Sequence, residues 1–162
     1  MRRKILSVLF VLTLLLQPDM FLSETAAKEG TQIMASIGST VSLGNNHSAA
    51  VTANGDLYCW GRNFYGQLGN ETIGDCSTPV KVLENVSSVS LGSDYSAAVT
   101  NNGDLYCWGR NDYGQLGNGT TSYYHTSTPV KVLENVSSVS LGYEHSAAVT
   151  NNGDLYCWGR ND

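Results

Sequence analysis

The chain repeats itself, and this constrains its fold more than any other feature. Residues 77–112 (STPVKVLENVSSVSLGSDYSAAVTNNGDLYCWGRND) recur at 127–162 with 33 of 36 positions identical. An earlier copy begins near Ile33 with a divergent front and comes back into step at Val41, through VSLG, HSAAVT, NGDLYCWGRN and YGQLGN. The Cys-Trp pair marks the period at Cys59-Trp60, Cys107-Trp108 and Cys157-Trp158, with spacings of 48 and 50 residues. A unit of this size cannot bury its apolar faces alone, so it must stack on its neighbours, as propeller blades and repeat arrays do.

Turn chemistry divides one unit into four short strands. The first is 137–141, where Val139 and Leu141 alternate with serines. A joint at 142–144 leads to the second, 145–150, and Asn152-Gly153 supplies two positive-φ positions for a tight turn into the third, 154–158. In the preceding copy a glycine-rich loop over 109–127 leads to a fourth strand at 128–133, with Pro129 at its start, where no ladder donor is lost. The third strand puts Leu155 and Cys157 on one face and Tyr156 and Trp158 on the other. Both faces are apolar, so each small sheet needs cover on both sides. Seventeen Gly against three Pro, with nine Tyr and three Trp, fit tight turns between aromatic-rich strands. A charged fraction of 14% argues against a charge-driven disordered segment or a coiled coil. The expected fold is all-β: propeller blades of four-stranded antiparallel sheets, about two and a half of them, in copies near 33–82, 83–132 and 133–162. Propellers close with about 4 to 8 blades. The chain is therefore expected to be the first part of a longer reading frame, with the rest of the propeller supplied beyond Asp162.

The N-terminus reads as an address. Arg2, Arg3 and Lys4 precede an apolar run over 5–16 that Gln17 and Pro18 break, and small residues follow at Thr25-Ala26-Ala27. Such a run is too short for a bilayer, which needs ~20 residues in a helix. Residues 1–27 are expected to be a secretory signal peptide cleaved after Ala27, with 28–32 as a short linker, giving an extracellular protein with no membrane segment after cleavage. What remains carries six Lys or Arg against twelve Asp or Glu. That balance disfavours nucleic-acid binding.

The run GDLYCWGRNDYGQLGNGTT, followed by TPVKV and SVSLGYEHSAAVT, resembles the regulator of chromosome condensation repeat, and the resemblance covers residues 33–162. It implies a seven-bladed β-propeller. It also brings the activity of the family's namesake, guanine-nucleotide exchange on a small GTPase with chromatin association. The signal peptide and the acidic balance oppose both parts of that activity, and the repeat motif alone carries over none of its residues.

Residues identical in every copy are expected to build the blade. Cys59, Cys107 and Cys157 fall at equivalent third-strand positions on different blades, where disulfides between them are not expected and Cys acts as a small apolar residue. Cys76 alone breaks the register, in a variable loop. His47, Tyr95 and His145 share one repeat position and read as hydrogen-bonded packing rather than as bases or ligands. Arg62, Arg110 and Arg160 follow each Trp-Gly, within reach of carboxylates such as Asp112 or those of the next blade. Asp56, Asp104 and Asp154 follow the Asn-Gly turns and are expected to support them. No metal-ligand spacing, nucleophile elbow, P-loop or dinucleotide fingerprint occurs, so neither a catalytic set nor a cofactor is expected.

Recognition needs asymmetry, and two sets of positions differ between copies. One is the joint before the second strand: Asn45-Asn46-His47, Ser93-Asp94-Tyr95 and Tyr143-Glu144-His145. The other is the tip of the long loop, 71–76 in the first copy and 119–126 in the second. In an antiparallel meander both sets fall on one rim, and the Asn-Gly turns and Glu-Asn-Val links fall on the other. The expected function is a secreted, non-enzymatic scaffold binding a protein or an extracellular ligand through the variable rim, set against neutral drift in a surface loop. Tyr123, Tyr124 and His125 are its expected anchors, with Ser93, Asp94, Tyr143 and Glu144 beside them.

Overall fold

A computed structural model describes residues 37–162; the expected signal peptide, the linker and the front of the first repeat lie outside the described residues. Among the described residues eleven strands follow one another with no helix between them. The first sheet contains β1 (Ile37–Leu43), β2 (His47–Thr52), β3 (Leu57–Gly61) and β4 (Cys76–Leu83). The second contains β5 (Val86–Leu91), β6 (Tyr95–Thr100), β7 (Leu105–Asn111) and β8 (Ser122–Leu133). The third contains β9 (Val136–Leu141), β10 (His145–Thr150) and β11 (Leu155–Gly159). Each is an antiparallel meander in sequence order. β1 and β2 pack on β5, and β5 and β6 pack on β9, so the first strands of successive sheets converge. Two side chains fix that convergence: Ser42 Oγ accepts the Leu91 N–H at 3.0 Å, and Ser90 Oγ accepts the Leu141 N–H at 3.1 Å.

The two-residue period of a strand explains how the middle sheet is covered twice. Ala98 and Trp108 join Ala49, Val51, Leu57, Cys59 and Leu68 of the first unit in one core. Their neighbours Ala97, Val99, Leu105 and Cys107 point the other way and join Leu116, Ala148 and Trp158 in a second. Paired alanines at 97 and 98, both fully buried, leave no bulk on either face and let the sheets approach. All four cysteines are free, with Cys59 and Cys107 buried.

Three local expectations are corrected. At the Asn-Gly turns the glycine alone takes positive φ (+88° at Gly153), and its N–H closes a turn onto the Thr150 carbonyl at 3.0 Å. Among the described residues the non-glycine left-handed positions lie elsewhere: Asn85 and Asn135 in the links between sheets, both at φ 59°, and Glu71 in the first long loop at φ 66°. The second long loop is shorter than expected, because β7 runs on to Asn111 and β8 begins at Ser122; Tyr123, Tyr124 and His125 therefore lie on a strand. The two extra residues of this copy are absorbed as a register shift between Gly109↔Thr126 and Asn111↔Ser122. Cys76 likewise opens β4 instead of lying in the loop.

Candidate functional site

Backbone hydrogen bonds assemble the two rims. On one, the N–H groups of Arg62, Arg110 and Arg160 donate to the carbonyls of Asn46, Asp94 and Glu144 at 2.8, 3.0 and 2.9 Å, tying each long loop's start to the joint beside it. On the other, Val86 and Val136 donate to Gly55 and Gly103 at 2.9 and 2.8 Å, tying each link to the preceding Asn-Gly turn.

A buried asparagine organises each long loop. The Asn63 side-chain amide donates to Asn70 Oδ1 and to the carbonyls of Thr72 and Gly74, all within 3.1 Å, and its Oδ1 accepts the Leu68 N–H at 2.9 Å. Asn111 repeats the scheme with Asn118, Thr120 and Leu116. The loop then latches onto the next sheet. The Gln67 carbonyl accepts Trp108 Nε1–H at 2.9 Å and Ser96 Oγ–H at 2.7 Å; the Gln115 carbonyl accepts Trp158 and Ser146 at the same distances.

The residues expected to recognise a partner separate into exposed and buried groups. Tyr123 and Tyr143 are 85% and 62% exposed. Half-buried His125 stacks edge-on against Tyr65 at 4.9 Å between centroids and faces Phe64 at 6.0 Å. The Tyr124 side chain lies outside the described residues. Ser93, Asp94 and Glu144 are buried. Ser93 Oγ donates to Asp94 Oδ2 at 3.3 Å and accepts from Asn45 Nδ2 at 3.1 Å. Glu144 accepts Arg110 Nη1 at 3.2 Å and Arg160 Nη1 at 2.8 Å, so it bridges guanidinium groups of successive sheets.

The expected ion pairs are present at two of the three arginines. Arg110 and Arg160 also reach Asp112 at 2.7 Å and Asp162 at 2.6 Å. Where Arg110 has Asp112, Arg62 has Phe64. Asp56 and Asp104 pair with Lys81 and Lys131, both at 2.9 Å. His47 and Tyr95 occupy the packing role expected of them, with His47 Nε2 2.9 Å from Ser96 Oγ and Tyr95 Oη–H donating to the His145 carbonyl at 2.6 Å, whereas the His145 side chain is exposed, contrary to expectation.

Sequence reasoning missed the arrangement that joins these groups. Arg110 lies over the Tyr65 ring at 5.3 Å and near Tyr113 at 6.0 Å, and Arg160 covers Tyr113 at 5.0 Å. Aromatic and guanidinium planes thus alternate along the rim across the junctions between sheets. The signal is the recurring Arg-Asn-X-Tyr at 62–65 and 110–113, which reads as blade structure because it does not vary between copies. No group of three His, Cys, Asp or Glu able to hold a metal occurs among the described residues. The rim thus combines anchored aromatics, carboxylates partly neutralised by arginine, and a carbonyl-latched frame.

Comparison with known proteins places this architecture. A 42-residue stretch is 45% identical to the human E3 ubiquitin-protein ligase HERC2, covering 26% of this chain and 1% of the ligase. The solved structure of human WBSCR16 superposes with a TM-score of 0.67 at 28% identity, over 74% of this chain and 32% of that one. Prp20p from Saccharomyces cerevisiae, characterised for its binding to Gsp1p and histones, superposes with a TM-score of 0.66 at 27% identity, over 76% of this chain and 33% of that one. The chain thus spans about a third of each of these structures and a very small part of the ligase. The regulator of chromosome condensation (RCC1) repeat matches over residues 54–99 and 102–149, more than half the sequence, and the chain belongs to that repeat family.

Proposed function

We propose that this protein is a secreted, non-enzymatic propeller scaffold that binds another protein or an extracellular ligand through its variable rim. One observation carries the reading. Of nine exposed large apolar side chains among the described residues, Phe64, Ile73, Tyr113, Tyr123 and Tyr143 lie on that rim; the other four, Val41, Leu43, Leu155 and Tyr156, lie on strands of the first and third sheets. Among the described residues the Asn-Gly turns and Glu-Asn-Val links of the opposite rim contribute none. Apolar exposure and sequence variation coincide on one face, as expected of a recognition surface.

Placing a photo-crosslinking amino acid at position 123, and in parallel at Asn102 on the opposite rim, tests this in the secreting host. Adducts with a discrete partner from 123 but not from 102 are expected. Equal labelling from both, or from neither, overturns the reading. Guanine-nucleotide exchange on a small GTPase is the second reading, favoured by the likeness to Prp20p, whose binding to Gsp1p has been characterised. Cell fractionation separates the two: the protein in the medium favours the scaffold, and a nuclear or cytosolic pool favours exchange.

A further inference from the structure

We propose that the junction between the first long loop and β8 takes a basic peptide segment of a partner protein, anchored by the segment's apolar side chains. The inference rests on the rim being the recognition surface and adds the chemistry of what is recognised. Three apolar side chains stand out here: Phe64 at 55%, Ile73 at 61% and Tyr123 at 85% exposed. They belong to one assembly. Phe64 follows Asn63, whose amide holds the carbonyls on either side of Ile73. Phe64 also faces His125, two residues along β8 from Tyr123. The Glu71 N–H donates to the Ser127 carbonyl at 2.9 Å, which fastens the loop to that strand.

Charge then selects the occupant. Glu71 and Asp75 are both exposed in this loop, and the Glu71 carboxylate has no partner among the described residues. Asp75 uses one oxygen to accept the Asn63 N–H at 2.8 Å. Against these stand Arg62, the single Lys or Arg of 62–75, and Arg110, which lies over the Tyr65 ring with its charge met by Asp112 and Glu144; 122–127 carry no Asp, Glu, Lys or Arg. The second loop has no such feature, since its tip is Gly119-Thr120-Thr121 and its one carboxylate, Asp112, is held by Arg110. Glu71 and Gly119 occupy the same repeat position and share a left-handed backbone, at φ 66° and 79°. The first copy thus accepts a conformation unfavourable for glutamate while presenting its charge beside the aromatic patch. Apolar anchors beside two exposed carboxylates, neither of them in an ion pair among the described residues, fit a segment that alternates aliphatic with cationic side chains.

Fluorescence anisotropy tests this with two short labelled peptides, one alternating Arg with Leu and one alternating Glu with Leu. The basic peptide is expected to bind, more weakly as salt is raised, and the acidic one is not. Tyr123→Ala and the pair Glu71→Gly with Asp75→Asn are each expected to weaken binding about fivefold. Glu71→Gly installs the sister loop's residue, so its melting temperature should hold or rise, separating lost contact from lost fold. Glu84→Gln with Glu134→Gln, on the opposite rim, controls for non-specific charge and is expected to change nothing. Equal binding of the acidic peptide, unchanged affinity in the rim variants, or an equal loss in the opposite-rim control overturns the proposal. Crosslinking from position 123 in the face of such a result would leave the rim reading standing and this one refuted.

Discussion

His47 shows how a single position is set by the sheet next door. It is 2% exposed, packed over Gly44, where an added Cβ would come within 2.5 Å of the ring, and it meets Ser96 of the second sheet. Burial drives its pKa from 6.5 down to about 4, and the Asp94 carboxylate only partly offsets this. The unfolded chain therefore takes up a proton near pH 6.5 that the folded chain refuses until about pH 4. Stability from this group is complete above the higher value and is lost as pH falls through that window, by roughly 3 kcal/mol in all. Urea midpoints of the wild type and His47→Gln, followed from neutral to pH 4, should converge or cross as the pH drops. A gap independent of pH would refute this account. Tyr95, at the same repeat position, is pushed up to about 12 by its burial and keeps the proton it donates to His145. The sequence made the packing role of this position legible, but not its neutral state, which depends on cover from another unit.

Between residues and molecule lies the latch, in which one loop's carbonyl receives the next sheet's indole. Trp108 is fully buried and Trp158 is half-buried, although both donate to their glutamine carbonyl at 2.9 Å. Trp108→Phe keeps most of the apolar area and leaves the Gln67 carbonyl one donor short, for a cost of about 1–3 kcal/mol. Trp158→Phe should cost less, because water reaches that side more easily. Gly69 lies against the Trp108 indole at φ +75°, with the Cβ of any other residue 2.7 Å from Nε1. Gly69→Ala is therefore expected to destabilise by about 1–3 kcal/mol. Chemical denaturation of the three variants checks the order, and an equal cost for both tryptophan variants would show that burial does not scale the latch. The repeating Gln, Gly and Trp were visible in the sequence. That they meet across units was not, since residues about 40 apart are brought together by stacking alone.

Across the molecule, cover is uneven. The second sheet is buried on both faces, whereas β1 exposes Val41 and Leu43 and β11 exposes Leu155 and Tyr156. Neighbour-limited contact of this kind makes local stability follow the number of covered faces. In the 162-residue polypeptide by itself, amide hydrogen exchange should be slowest in β6 and β7, whose opening approaches global unfolding, and fastest in β11, by at least about tenfold. Uniform protection through all three sheets would mean that the stack opens as one unit and not sheet by sheet.

The repeat, its strand order and its all-β class were written in the sequence, because side-chain alternation and turn glycines act within a few residues of one another. The meander also implied that joints and long loops share a rim, and the Arg62–Asn46 and Arg110–Asp94 backbone bonds follow that rule. Tertiary structure decided what the rim displays. Ser93, Asp94 and Glu144 vary between copies, yet they lie beneath the surface because neighbouring loops and arginines close over them. Tyr65 and Tyr113 do not vary, yet they stand in the rim because Arg110 and Arg160 reach them across the junctions. Variation along a chain marks where copies differ, but which side chains meet solvent depends on the packing of one sheet against the next.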